Sequence, residues 1–332
     1  MELISLEKTK QFFRLFTHLQ LLPVLESGEE TLVGGQAVME GVMMRAPHSY
    51  CVAVRKPNGE LVTEEAAIPR MSEKYPIFRY PVLRGVGTLA QAMQLGVKAL
   101  KFSANAALEE EKNEKGEKTE ISSWMMTLNL LFSFGFFIFL YKFVPLMATE
   151  YLQKQYPVLH NQILYNGVDG MIRIGLFLAF LFGISRMNDI HRVFEYHGAE
   201  HKVVFNFESG KEVNVANAQS FVTWHPRCGT SFLLVVMLVS MLVYMVLPFE
   251  GWAAKFASRI VLLPVIAGLS YEIIRFAAKR RGSFLAALTL PGLWLQRITT
   301  QPPDDQQAEV AIHALHGAMA LEKKQGGELV IA

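Results

Sequence analysis

The stretch TSFLLVVMLVSMLVYMVLPF, residues 230–249, is twenty residues long and carries no charge. An α-helix rises about 1.5 Å per residue, so roughly 20 residues cross the hydrocarbon of a bilayer. Lipid offers no partner to a bare peptide group, so such a run must be helical. Working outward, Trp124–Tyr141 is a second uncharged run and continues through Val144 and Pro145 after Lys142. A third candidate centres on Ile174–Ser185 and needs Arg173 and Arg186 to snorkel at its ends. A fourth spans Ile260–Phe276 and contains Glu272 and Arg275. Ser283–Gln296 is uncharged but short, and Pro291-Gly292 interrupts it, so an interfacial or re-entrant element is expected. The expected fold is an α-helical polytopic membrane protein with about four transmembrane helices, near 124–146, 168–187, 230–249 and 260–276.

Composition agrees. Of 332 residues, 51% are hydrophobic and 19% charged, and the mean hydropathy is +0.24. That is too apolar for an ordinary soluble enzyme. A formal charge of +2 and the absence of a basic stripe with interleaved aromatics exclude nucleic acid as a partner. The two cysteines, Cys51 and Cys228, make no disulfide framework and read as thiols of a reducing compartment.

Basic residues set the expected orientation. Lys98, Lys101, Lys112, Lys115 and Lys118 precede the first span. Arg186, Arg192, Lys202, Lys211 and Arg227 lie between the second and third, and Arg275, Lys279, Arg280 and Arg281 follow the fourth. The other two connections are poorer. Both ends of the chain are therefore expected inside a bacterial inner membrane, with the loop 188–229 in the cytoplasm.

Before the spans, residues 1–30 carry an amphipathic pattern (Phe12, Phe13, Phe16, Leu19), suited to a helix on the membrane or on the soluble part. Residues 31–108 are expected to form a small α+β cytoplasmic domain. Tyr50–Arg55 and Glu60–Thr63 flank the hairpin turn Pro57-Asn58-Gly59, and Leu89, Met93, Val97 and Leu100 recur at helical spacing. Residues 109–123 read as a charged linker and 299–332 as a C-terminal tail.

The chemistry-bearing residues sit on the 188–229 loop. His197-x-x-Glu200-His201 places two imidazoles four residues apart, on one helix face, with a carboxylate between them. His225-x-x-Cys228 adds two more donors at the spacing of a metal knuckle. Imidazole with thiolate suits zinc or another divalent transition metal. Four protein ligands (His197, His201, His225, Cys228) would close a structural site. Three would leave a position for water, with Glu200 as general base. Glu195 and Glu208 are nearby carboxylates that could ligate or orient a histidine, although such loop acids are more often solvated. Glu272, ionisable within a span, is an auxiliary candidate that Arg275 could simply neutralise. Gln36, Glu40 and Arg45 could line a pocket in the glycine-rich segment 34–45, or Glu40 and Arg45 could pair with each other.

Long motifs carry a resemblance. Gly34-Gly35-Gln36-Ala37-Val38-Met39-Glu40-Gly41-Val42-Met43-Met44-Arg45, Arg84-Gly85-Val86, Tyr196-His197-Gly198-Ala199-Glu200-His201-Lys202, His225-Pro226-Arg227-Cys228-Gly229-Thr230-Ser231-Phe232, Tyr271-Glu272 and Pro291-Gly292-Leu293-Trp294-Leu295-Gln296-Arg297 stand in this order. They resemble the DUF1385 family, the YqhQ-like bacterial membrane proteins. The resemblance implies a metal-dependent membrane protein and brings no substrate. Two expectations follow: a zinc-dependent hydrolase at the cytoplasmic membrane face, or a non-catalytic zinc-stapled scaffold or assembly factor. Membrane lipids are the expected partners, alongside an unidentified substrate or protein and a possible homo-oligomer.

Overall fold

The computed structural model describes residues 33–69, 71–108, 123–225, 228–279 and 290–324. The amphipathic segment 1–30, residues 109–122 of the charged linker and 283–289 of the interfacial element lie outside the described residues. Strands β1 (Gly34–Val38), β2 (Gly41–Arg45), β3 (Ser49–Arg55) and β4 (Leu61–Ala67) form one antiparallel sheet in sequence order. Eleven helices are labelled: α1 (Leu83–Leu108), α2 (Ser123–Ile138), α3 (Val144–Gln155), α4 (Gln162–Ile184), α5 (Asn188–Glu208), α6 (Val215–Gln219), α7 (Gly229–Val246), α8 (Trp252–Val261), α9 (Leu263–Lys279), α10 (Leu290–Thr299) and α11 (Asp305–Lys324).

The sheet is buried on both faces, which is why β2 and β3 read as near-continuous apolar runs. Val38, Met43, Tyr50, Val52 and Val54 face Leu95, Ala99 and Ala106 of α1. Val42, Met44, Cys51 and Ala53 face Tyr196, Ala199 and Val203 of α5 and Ala311, Ala314, Leu315 and Ala318 of α11. The turn at Pro57-Asn58-Gly59 forms as expected, with Gly59 at φ 86° and Asn58 Oδ1 accepting from the Glu60 amide at 2.9 Å. The segment expected as a C-terminal tail instead supplies α11. Its alanines recur every three or four residues, and small side chains let the helix lie close on the sheet.

Among the described residues, three helices are long and apolar enough to cross a membrane: Thr127–Gln155, Gln162–Ile184 and Gly229–Val246. Trp252–Val261 and Leu263–Phe276, bent by 50°, make a fourth if the pair is one span. Trp124, Leu131 and Phe132 of α2 point outward, a face that suits lipid. The chain is thus mostly helical, with three to four candidate spans and a small sheet.

One link explains a charge inside this bundle. Pro145 has no N–H, so the carbonyl of Tyr141, four residues earlier, loses its helical partner. Five residues, Phe139–Phe143, adopt a π-turn there. Arg173 Nε donates to the Tyr141 carbonyl at 3.1 Å, Nη1 donates to Ser240 Oγ at 2.8 Å, and Nη2 bonds Asp169. Arg173 is therefore buried within α4 rather than snorkelling from its end.

Candidate metal centre

Helix α5 carries His197, Glu200 and His201 on the face toward α7 and the segment that follows α10. Gly198 lets that segment approach, because a Cβ there would collide with the Gln301 carbonyl. The Gln301 amide donates to Phe194 O at 2.9 Å. This close packing places the Thr299 carbonyl 2.8 Å from His197 Nδ1. The Thr223 carbonyl, after α6, bonds His201 Nδ1. A carbonyl only accepts, so each Nδ1 is the donor, and Nε2 is the ring atom turned toward the centre. Histidines oriented in this way are typical of metal ligands.

Cys228 is the N-cap residue of α7. Its Sγ lies 3.2 Å from His197 Nε2 and 3.1 Å from Thr230 Oγ1. The ligand atoms of His197, His201 and Cys228 all lie within 4.8 Å of one another. Zinc bond lengths give tetrahedral ligand-to-ligand edges of about 3.4–3.6 Å. The set fits a divalent ion after shifts of about an ångström.

Glu200 is buried beside the set, its Oε2 3.5 Å from His201 Nε2 and 4.0 Å from His197 Nε2. Burial pushes its carboxyl up to about 7, against His197 and the Gly35 N–H, which draw it down. Gly35 is a close approach as well, since a Cβ there would sit 2.6 Å from Glu200 Cγ.

His225 is not in that set of three, although its ring lies 5.5 Å from the His201 ring. Gln296 holds its backbone, accepting from the His225 amide at 2.6 Å and donating to its carbonyl at 2.7 Å. The ring then lies against Phe205, with Nε2 3.5 Å from Glu208 Oε2. The remaining candidates are also elsewhere. Glu40 bonds Arg192 and Tyr196, Arg45 bonds Gln91, and Gln36 lies against Gly96 of α1. Glu195 accepts from Gln307. Glu272 accepts from the Val82 amide and from Arg84, fastening α1 to α9. Sequence reasoning missed Thr223, Thr299, Gly35 and Gln296. The first two act through backbone atoms and have no side-chain signal, whereas Gly35 and Gln296 stand within the motif blocks.

Comparison with known proteins gives a consistent picture. Residues 80–321 match the model of the family described as "Protein of unknown function (DUF1385)". The chain is 33% identical over 297 residues to "Uncharacterized protein YqhQ" of Bacillus subtilis (strain 168), covering 87% of this chain and 92% of that protein. No solved structure matches.

Proposed function

The chain belongs to the DUF1385 family, and we propose that it is a metal-dependent membrane hydrolase, with zinc favoured by its donor atoms. One observation carries this reading: two imidazoles fixed through Nδ1 and one thiol converge within 4.8 Å beside a buried glutamate. Three protein donors leave a divalent ion with an open position, as catalytic zinc sites do. When bound, such an ion supplies Lewis-acid activation of water and substrate. The Thr223 and Thr299 carbonyls hold the rings in place. Glu200 accepts a proton from the attacking water at Oε2 and returns it to the leaving group. The lysine and arginine distribution favours a bacterial cytoplasmic membrane with both ends of the chain inside. The centre then faces the cytoplasm, where Cys228 stays reduced.

The test combines metal analysis with turnover. X-ray absorption of the zinc-loaded chain should report two nitrogens, one sulfur and one further light atom. Glu200→Gln should keep the ion and abolish hydrolysis across chromogenic ester, amide and phosphoester substrates. Wild-type turnover by Glu200→Gln, or full metal content in Cys228→Ser with His201→Ala, would remove the proposal.

A second reading rests on the same carboxylate. Glu200 stands close enough to become a fourth ligand after a shift of about an ångström, which closes the tetrahedron. The centre is then a staple between α5 and α7 in a scaffold that holds a partner. Under this reading Glu200→Gln lowers metal affinity and folded yield, and no turnover is found.

A further inference from the structure

A cavity of ≈ 260 Å³ opens at the far end of α7. Helix α7 has 18 residues, so its two ends are about 27 Å apart and the cavity is remote from Cys228. Its lining includes Tyr165 and Asn166 of α4, Tyr244 of α7, and Lys255, Ser258 and Arg259 of α8.

Arg259 is 1% exposed. Its Nη1 donates to Lys255 O at 3.0 Å, and its Nη2 donates to Asn166 Oδ1 at 3.3 Å and pairs with Asp169 at 3.2 Å. Its Nε–H has no partner. Asp169 is shared with the equally buried Arg173, and Lys255 pairs with Glu150 at 2.8 Å. Three cations thus meet two carboxylates, leaving one positive charge in excess. Lys142 is within electrostatic reach of both arginines and can only add to it. Glu250, the acid in the lining, is exposed at the rim. An unbalanced cation in an apolar bundle is strongly unfavourable and calls for a counter-ion. Gly251, the N-cap residue of α8, lies on the cavity wall and offers no side-chain cap, so the positive dipole end of α8 adds to the same field.

We propose that this cavity binds a phosphate-type oxyanion through Arg259 Nε, Lys255 and the first turn of α8. The phosphate can belong to a free small molecule or to the headgroup of an anionic lipid. Exposed Phe249 lines the cavity and exposed Trp252 begins α8 next to it in sequence, aromatic residues of the kind suited to the level of lipid headgroups.

The full chain in phosphatidylcholine nanodiscs separates the two sources. Saturable binding of inorganic phosphate, read by calorimetry and a raised unfolding temperature, identifies a free ligand. Retention of phosphatidylglycerol in native mass spectra, from discs containing it, identifies a lipid. In either case Lys255→Gln should weaken binding about 10-fold or more. Arg259→Lys, which keeps the charge but loses Nε, should do the same. If Arg259→Lys does not fold, Lys255→Gln decides. Failure of both probes to bind, or Lys255→Gln binding as tightly as wild type, overturns the proposal.

Discussion

Replacing Gly198 by alanine sets two opposed effects against each other. In a helix interior alanine is worth about 1 kcal/mol over glycine, so propensity alone stabilises the variant. The contact does the opposite. A Cβ at 198 falls well inside contact distance of the Gln301 carbonyl oxygen and 3.1 Å from its carbon. Both partners are backbone, and the Gln301 amide is bonded to α5 at Phe194, so neither side can swing away. Overpacking costs about 1–3 kcal/mol, and two backbones in opposition put the cost at the upper end. The net loss should be about 2 kcal/mol. The displaced segment carries the Thr299 carbonyl that orients His197, so zinc affinity should fall by about 10–100-fold, as when an orienting partner is lost. Thermal unfolding of the metal-free chain reads the first effect, and competition with a chromogenic chelator reads the second. A variant about 1 kcal/mol more stable than wild type, with undiminished zinc affinity, refutes the reasoning.

Gln296→Leu removes three buried hydrogen bonds, two to the His225 backbone and one to Ser231. It should destabilise the chain by about 3 kcal/mol or more, and an unchanged unfolding temperature would count against this anchor. His48 is held above its ordinary pKa by the hydrogen bonds its ring donates to Glu322 and then to Glu73. Its contribution is complete below about pH 6.5 and is lost as pH rises through the higher folded value. Wild type should lose stability relative to His48→Gln over that interval, and a pH-independent difference between the chains would falsify the pairing. Burial, with Glu65 adding to it, pushes the Cys51 thiol up to about 12. N-ethylmaleimide at neutral pH should therefore label Cys51 only after unfolding, and a label found on Cys51 of the native chain would contradict this.

The candidate spans were legible in proportion to their lack of charge. The run at 230–249 gave α7 almost residue for residue. Helix α4 starts at Gln162, well before the apolar centre at 174–185, because Asp169 and Arg173 interrupt its hydropathy. The carbonyl that makes Arg173 tolerable is 32 residues away, beyond any local pattern. At the centre, helical spacing correctly set His197 and His201 on one face. Short spacing kept His225 near Cys228, but the direction of the ring depends on Gln296, 71 residues later. Helix α11 was missed because alanine is weakly apolar, and its stripe resembles a solvated helix until a sheet lies beneath it.

The sandwich of the sheet between early and late helices has a consequence for biosynthesis. Strand β4 ends at Ala67 and α11 begins at Asp305. At roughly 5–20 residues per second, the ribosome needs about 12–48 s to make what lies between them. Throughout that time Val42, Met44, Cys51 and Ala53 wait for α11 to cover them, a demand for shielding by a chaperone or the insertion machinery. The Thr299 carbonyl is made only just before α11, so His197 receives its orienting partner last. The proposed centre can therefore assemble only once the chain has been made through Thr299, and any ion is taken up after that point.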